Sequence, residues 1–196
     1  MTPEVSSPDG RAVLHFADAS AFDAWLDEHH ASSDGIWIRM AKAGSGVPSI
    51  TWATAVPVVL CHGWIDGKSK RLDDVWFIQK FTPRRPRSMW SRINVAHVER
   101  LVSEGRMRPW GLAEVERAKA DGRWAAAYQG SASADLPEEL ARALAASPEA
   151  AAAFATLDSR NRYAMVHRVQ TARLPATRAR NAAKFVAMLE RGERIH

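Results

Sequence analysis

Cysteine is nearly missing from this chain. Cys61 is the only one in 196 residues, which rules out an internal disulfide and a cysteine-based zinc site and suits a reducing cytosol. Long apolar runs are missing as well. The longest, Ala53 to Cys61, is interrupted by Thr54 and Pro57 and falls far short of the ~20 residues that a membrane span needs. The opening MTPEVSSPDG carries acids where a secretory leader has a basic start and an apolar stretch. A cytoplasmic location without a cleaved leader is therefore expected, after a start that reads as disordered. The recognised catalytic signatures are also missing: there is no Walker or dinucleotide glycine motif, no Gly-x-Ser-x-Gly elbow and no zinc ligand pattern. None of the histidines, His15, His29, His30, His62, His97, His167 and His196, forms a His-x-x-x-His pair. Neither metal nor cofactor is expected. His29 and His30, at a predicted helix end, are expected to meet the last carbonyls instead.

What is present is ordinary globular composition, 46% hydrophobic and 25% charged, at a length that suits one domain or one domain with a helical extension. The net charge of +5 is unevenly spread. Residues 1–67 hold three Lys or Arg against eight Asp or Glu, residues 68–108 eleven against four, and residues 160–196 nine against two. Local positive fields of this kind attract anions, whether phosphates, nucleic acid, acidic lipid or an acidic protein partner.

Periodicity and punctuation give the order of elements. Val13 to Phe16 reads as a short strand. Ser20 fits an N-cap for a helix to His29 whose apolar face is Phe22, Trp25, Leu26 and His29. Ile36 to Met40 is a strand, and Gly44, Gly46 and Pro48 break the chain behind it. Thr51 caps a helix to Cys61 in which Pro57 should kink the axis or mark a later start. Gly63 to Gly67 and Val75 to Phe81 read as a hairpin around a charged turn, Lys68 to Asp74. Ser88 fits the cap of a helix to Glu104 with Ile93, Val98, Leu101 and Val102 buried and Gly105 as its stop. Pro109 opens the next helix, which buries Leu112, Val115 and Ala118 and ends at Gly122.

Gln129 to Asp135 is the best linker in the chain. Four helices are expected beyond it: Pro137 to Ala146; Pro148 to Leu157 capped by Ser147; Ser159 to Arg173 capped by Asp158; and Arg178 to Arg191 capped by Thr177. The predicted fold is α+β: a body over 11–128 with a small β-sheet and flanking helices, followed by a C-terminal helical module over 135–192 packed on it.

Three stretches carry a family resemblance: LCHGWIDG at Leu60 to Gly67; FTPRRPRSMWSRIN at Phe81 to Asn94 with EGRM at Glu104 to Met107; and the helical tail with LPEEL at Leu136 to Leu140. Together they resemble the YdeI/OmpD-associated family, also called bacteriocin-protection proteins. The resemblance implies a cytosolic protein linked to stress or bacteriocin protection and supplies no reaction. Four departures from the family pattern stand out. His62 occupies an aromatic position, Arg108 stands in place of a capping Thr, Thr54 to Val58 lacks acids, and Pro57 is foreign to that helix.

The strongest candidate site is the arginine loop. Arg84, Arg85 and Arg87 are spaced by prolines just ahead of a predicted helix N-terminus, and arginine forks with free amides suit phosphate or carboxylate. Trp90 can cover a ring or chain there and Lys80 can add charge. In the alternative reading the arginines pair with Asp73, Asp74 or Glu99 and Trp90 belongs to the core. A second candidate is Cys61 to Gly67, where Trp64 and Asp66 share one strand face. The Cys61 thiol, the His62 imidazole and the Asp66 carboxylate fall within six positions, a set that can supply a nucleophile with a base, weighed against a buried, inert Cys and a turn role for Asp-Gly; Asp66 is the catalytic candidate. Most of the eight tryptophans, Trp25, Trp37, Trp52, Trp64, Trp76, Trp90, Trp110 and Trp124, are expected in the core, with one or two left to line a pocket. Three functional readings follow: a non-catalytic protein binding an anionic ligand or partner, an enzyme with a pocket around Asp66 and the arginine loop, or a nucleic-acid-binding protein.

Overall fold

The computed structural model describes residues 7–131 and 134–196. The opening residues 1–6, and residues 132 and 133 of the Gln129 to Asp135 linker, lie outside the described residues. The chain divides into two compact units: one runs up to Trp90 and resumes over Asn94–Ala126, and the other comprises Ser91–Ile93 and Ala127–His196.

The first unit is built on a four-stranded sheet in the order β1-β2-β4-β3, formed by β1 (Val13–Leu14), β2 (Ile36–Ala41), β3 (Trp64–Arg71) and β4 (Trp76–Pro83). β1 and β2 run parallel, and β4 lies antiparallel to both β2 and β3. Pairing of Ile36 with Phe81, Ile38 with Gln79 and Met40 with Phe77 places these side chains on one face, because neighbours across a ladder point the same way. That face meets α1 (Ala19–His29) and α2 (Trp52–Cys61) in a core of Phe22, Leu26, Ile38, Val59, Trp64 and Phe81. The hairpin is longer than its composition suggests. Lys68 to Arg71 continue β3 after a register shift between Asp66 and Ser69, so the turn shrinks to Leu72–Val75, where Asp73 accepts from the backbone N–H groups of Val75 and Trp76.

Three helix starts differ from the expected caps. Asp18 rather than Ser20 caps α1, accepting from Ala21 N. Ser88 does not open a helix. Its hydroxyl accepts from Arg85 N in a turn, and α3 (Arg92–Ser103) begins four residues later. Ile93 and Val102 are therefore exposed, and the buried stripe of α3 is Asn94, Val98 and Leu101. Thr51 does cap α2, in a reciprocal box with Thr54. Pro57 sits inside that helix without moving its start, because the missing donor would have met the carbonyl of exposed Ala53, which water can satisfy. α4 (Pro109–Ala120) buries Gly111, Val115 and Ala118, while Leu112 stays exposed.

The second unit is helical: α5 (Glu138–Ala145), α6 (Pro148–Ala155), α7 (Ser159–Gln170) and α8 (Pro175–Glu190). Their core is Leu140, Leu144, Met165, Val169, Phe185 and Leu189 with neighbouring alanines. Ser147 and Asp158 cap α6 and α7 as expected. α8 starts before Thr177, with Pro175 in its first turn and Leu174 at the N-cap, since Pro needs no helical donor there. Asn161 is 2% exposed and its Oδ1 accepts from Ile195 N at 3.1 Å and His196 N at 2.9 Å. The whole is an α+β protein with a set of helices at its C-terminal side.

Candidate functional site

The arginine loop leaves β4 at Pro83 and is pinned at every turn. Arg84 N donates to Gly63 O at 3.1 Å, Ser88 N to Arg85 O at 2.9 Å, and Arg123 Nη1 to Ser88 O at 2.7 Å. Arg84 itself is buried at 5% exposure. Its guanidinium carbon lies 3.5 Å from the centre of the Trp90 ring, and Nη1 donates to Met89 O. Trp90 is 1% exposed and also packs on Trp124, with ring centres 4.9 Å apart. Arg84 and Trp90 thus form the internal frame of the loop, with the Trp90 ring covered by protein. Arg85 and Arg87 point the other way. Both are exposed, and among the described residues neither forms an ion pair. Asp74 is taken by Arg71, and Asp73 by backbone amides.

The remaining candidates separate from this loop. Lys80 lies on β4 and pairs with Asp9 at 2.5 Å. That contact, joined by Trp37 Nε1 at 2.8 Å, holds the Asp9 carboxyl well below the usual carboxylate range. Trp64 is buried in the core, donating from Nε1 to His30 O at 3.3 Å. Asp66 accepts from Trp52 Nε1 at 3.1 Å, beside the start of α2. Its carboxylate and the loop arginines form no contact with each other among the described residues.

A third cluster was not anticipated. His62 closes α2 with its side chain fully buried. Its Nδ1 accepts from Trp110 Nε1 at 3.2 Å, because an indole nitrogen can only donate. Nε2 therefore carries the proton and donates to Asp23 Oδ1 at 2.8 Å. Arg108 reaches Asp23 Oδ2 at 3.2 Å and Asp27 Oδ2 at 2.7 Å. His30 stacks on Trp110 at 3.9 Å while its own Nδ1 meets Leu26 O, as His29 meets Trp25 O. Burial pushes the His62 pKa below its ordinary value even though Asp23 pulls it up. A cavity of about 280 Å³ opens beside the cluster, lined by Ser20, Asp23, Cys61, Arg106 and Arg108 among others.

This cluster bears on the thiol and imidazole that are adjacent in sequence. Both His62 nitrogens are engaged, so neither is free to take a proton from Cys61. Burial pushes the Cys61 thiol up, against the pull of Arg106 and Arg108, which keeps it protonated and weakly nucleophilic. Among the described residues no group of three or more His, Cys, Asp or Glu is placed to hold a metal ion. The signal that could have located the cluster lies in the departures from the family pattern. His62 and Arg108, two of the four, converge on one carboxylate, Asp23.

Fold and site define an α+β protein whose exposed, rigidly framed basic loop follows the last strand of a small sheet. The chain belongs to the family described as a domain of unknown function (DUF8412), whose model matches residues 14–114. Residues 133–192 match the model described as Bacteriocin-protection, YdeI or OmpD-Associated. The resemblance over the tail is thus carried by that second family, whereas LCHGWIDG and the arginine loop fall within the first. No curated protein matches the chain, and no solved structure does. No helix among the described residues is long and apolar enough to cross a membrane.

Proposed function

We propose that the protein is a non-catalytic binding protein for an anionic ligand or partner, with Arg85 and Arg87 as the groups that take the charge. One observation carries this reading: the buried stack of Arg84 on Trp90 fixes the loop while Arg85 and Arg87 stand exposed without a carboxylate partner among the described residues. A loop held rigid before binding loses little conformational entropy on binding, so two adjacent guanidinium forks can hold phosphate or carboxylate oxygens at low ordering cost. Arg84, Trp90 and Lys80 then act as frame and local field rather than as contacts. The family name matched over residues 133–192 supports a role in bacteriocin protection.

The test is a thermal-shift titration with inorganic pyrophosphate and with a short acidic peptide, at low and physiological salt, because a ligand of the native state raises the melting temperature. A shift that persists at physiological salt and disappears in Arg85→Ala/Arg87→Ala supports the reading. An undiminished shift in that double variant, or none with either probe, rejects it. Binding of an oligonucleotide that falls steeply with salt would favour nucleic acid instead.

A further inference from the structure

Seven of the eight tryptophans face another ring or a cation: Trp25, Trp64 and Trp110 lie against rings, Trp37 against Lys80, Trp76 against Arg39 and His15, Trp90 against Arg84 and Trp124. Trp52 has neither among the described residues. It is 43% exposed at the first position of α2, yet its ring is held, because Nε1 donates to Asp66. An exposed indole with a fixed plane and an uncovered face is a stacking surface.

That surface borders a cleft of about 620 Å³ between the Lys42–Ser49 loop, the start of α2 and Phe77 of β4. Val47, 40% exposed, and Pro48 add apolar walls. The volume lies within the ~300–1,000 Å³ of ordinary small-molecule sites. Its polar side chains already hold partners within the protein. Lys42 Nζ donates to Asp73 O, Ser49 Oγ accepts from Ala41 N and donates to Ile50 O, Ser45 Oγ accepts from Val47 N, and Thr51 Oγ1 accepts from Thr54 N. Lys42 is the sole ionisable side chain in the lining. Beyond that ammonium, which keeps donors to spare, the lining offers a ligand mainly apolar surface.

We propose that this cleft binds a planar aromatic ring, stacked on Trp52 against Val47 and Phe77. The site is separate from the arginine loop and neither reading rests on the other.

The experiment uses the full chain labelled with 5-fluorotryptophan, with the Trp52 fluorine resonance identified by its loss in Trp52→Phe. Indole is the probe and cyclohexanol the non-aromatic control. The expected result is a saturable shift of the Trp52 resonance with indole and no shift with cyclohexanol. Val47→Asp should weaken indole at least about tenfold at an unchanged melting temperature, and Arg85→Ala/Arg87→Ala should leave the titration as it is. A Trp52 resonance that does not saturate with indole, or that responds equally to cyclohexanol, overturns the proposal. So does one that moves with protein concentration alone, which would make the cleft a face for a second copy.

Discussion

The guanidinium carbon of Arg84 stands 3.5 Å from the centre of the Trp90 ring, and both residues are at most 5% exposed. A desolvated pair of this kind contributes on the order of 2 kcal/mol, and Arg84 Nη1 adds a charge-assisted bond to Met89 O. Arg84→Ala should therefore lower stability by about 2–4 kcal/mol and Trp90→Ala by about 3–5 kcal/mol. Arg85→Ala and Arg87→Ala, at exposed side chains without an ion pair among the described residues, should each stay within about 0.5 kcal/mol of the parent. Urea unfolding separates the two classes, and equal costs for all three arginines would contradict the division into frame and contact.

His62 predicts a loss of stability on mild acidification. Burial lowers its folded pKa from 6.5, so the unfolded chain binds the proton more readily. The contribution is fully present above pH 6.5 and is lost as pH falls from there through the folded pKa. His167, lowered by burial in the second unit, acts with the same sign. The urea midpoint should fall between pH 7.5 and 5, before carboxylates titrate, and His62→Gln should flatten the part of that slope that comes from the first unit. A slope unchanged in His62→Gln would remove His62 from the account.

Gly111 allows α4 to approach the end of α2. A Cβ at this position would lie 2.8 Å from the carbonyl carbon of Cys61 and closer still to its oxygen, and backbone cannot yield as a flexible side chain does. Gly111→Ala should cost about 2–4 kcal/mol, while Gly→Ala substitution in an exposed helix normally stabilises. A neutral or stabilising outcome in thermal melts would show that the helices separate at little cost.

Asn161 ties down the Ile195–His196 backbone from inside the second unit. Asn161→Leu leaves both amides without their acceptor, at a cost of about 1–3 kcal/mol. Hydrogen exchange at Ile195 and His196 should speed up well before exchange in the middle of α8. Unchanged protection of those two amides would mean that water or another group replaces Oδ1.

Much of this molecule is readable from local pattern. The Phe22 and Leu26 stripe, the Thr51 cap, the Pro109 start and the Ser147 and Asp158 caps depend on neighbours a few residues away, and all stand where their spacing puts them. Expected and observed elements differ where local signals compete with one another or with pairing at longer range. Ser20 and Asp18 both carry capping side chains, and α1 begins at Ala19, so that Asp18 holds the cap position and Ser20 lies inside the first turn. Ser88 has a capping side chain, but the Arg84–Met89 turn used it first. Lys68 to Arg71 look like a turn by charge, yet pairing with Phe77, Ile78 and Gln79 extends them into a strand, because cross-strand bonds do not depend on which side chains face water.

Composition and spacing by themselves determined the α+β class with its C-terminal helices and the presence of a basic proline-spaced loop. Only the tertiary structure decided which arginines of that loop face solvent, since a guanidinium is buried or free according to whether a ring such as Trp90 stands beside it. Only it gathered His62 and Arg108, the latter 85 residues away in sequence, around the carboxylate of Asp23 with Trp110 against His62, and left Trp52 the one tryptophan without a ring or cation partner among the described residues. Contacts of that range arise from packing of whole elements, and no local run of residues encodes them.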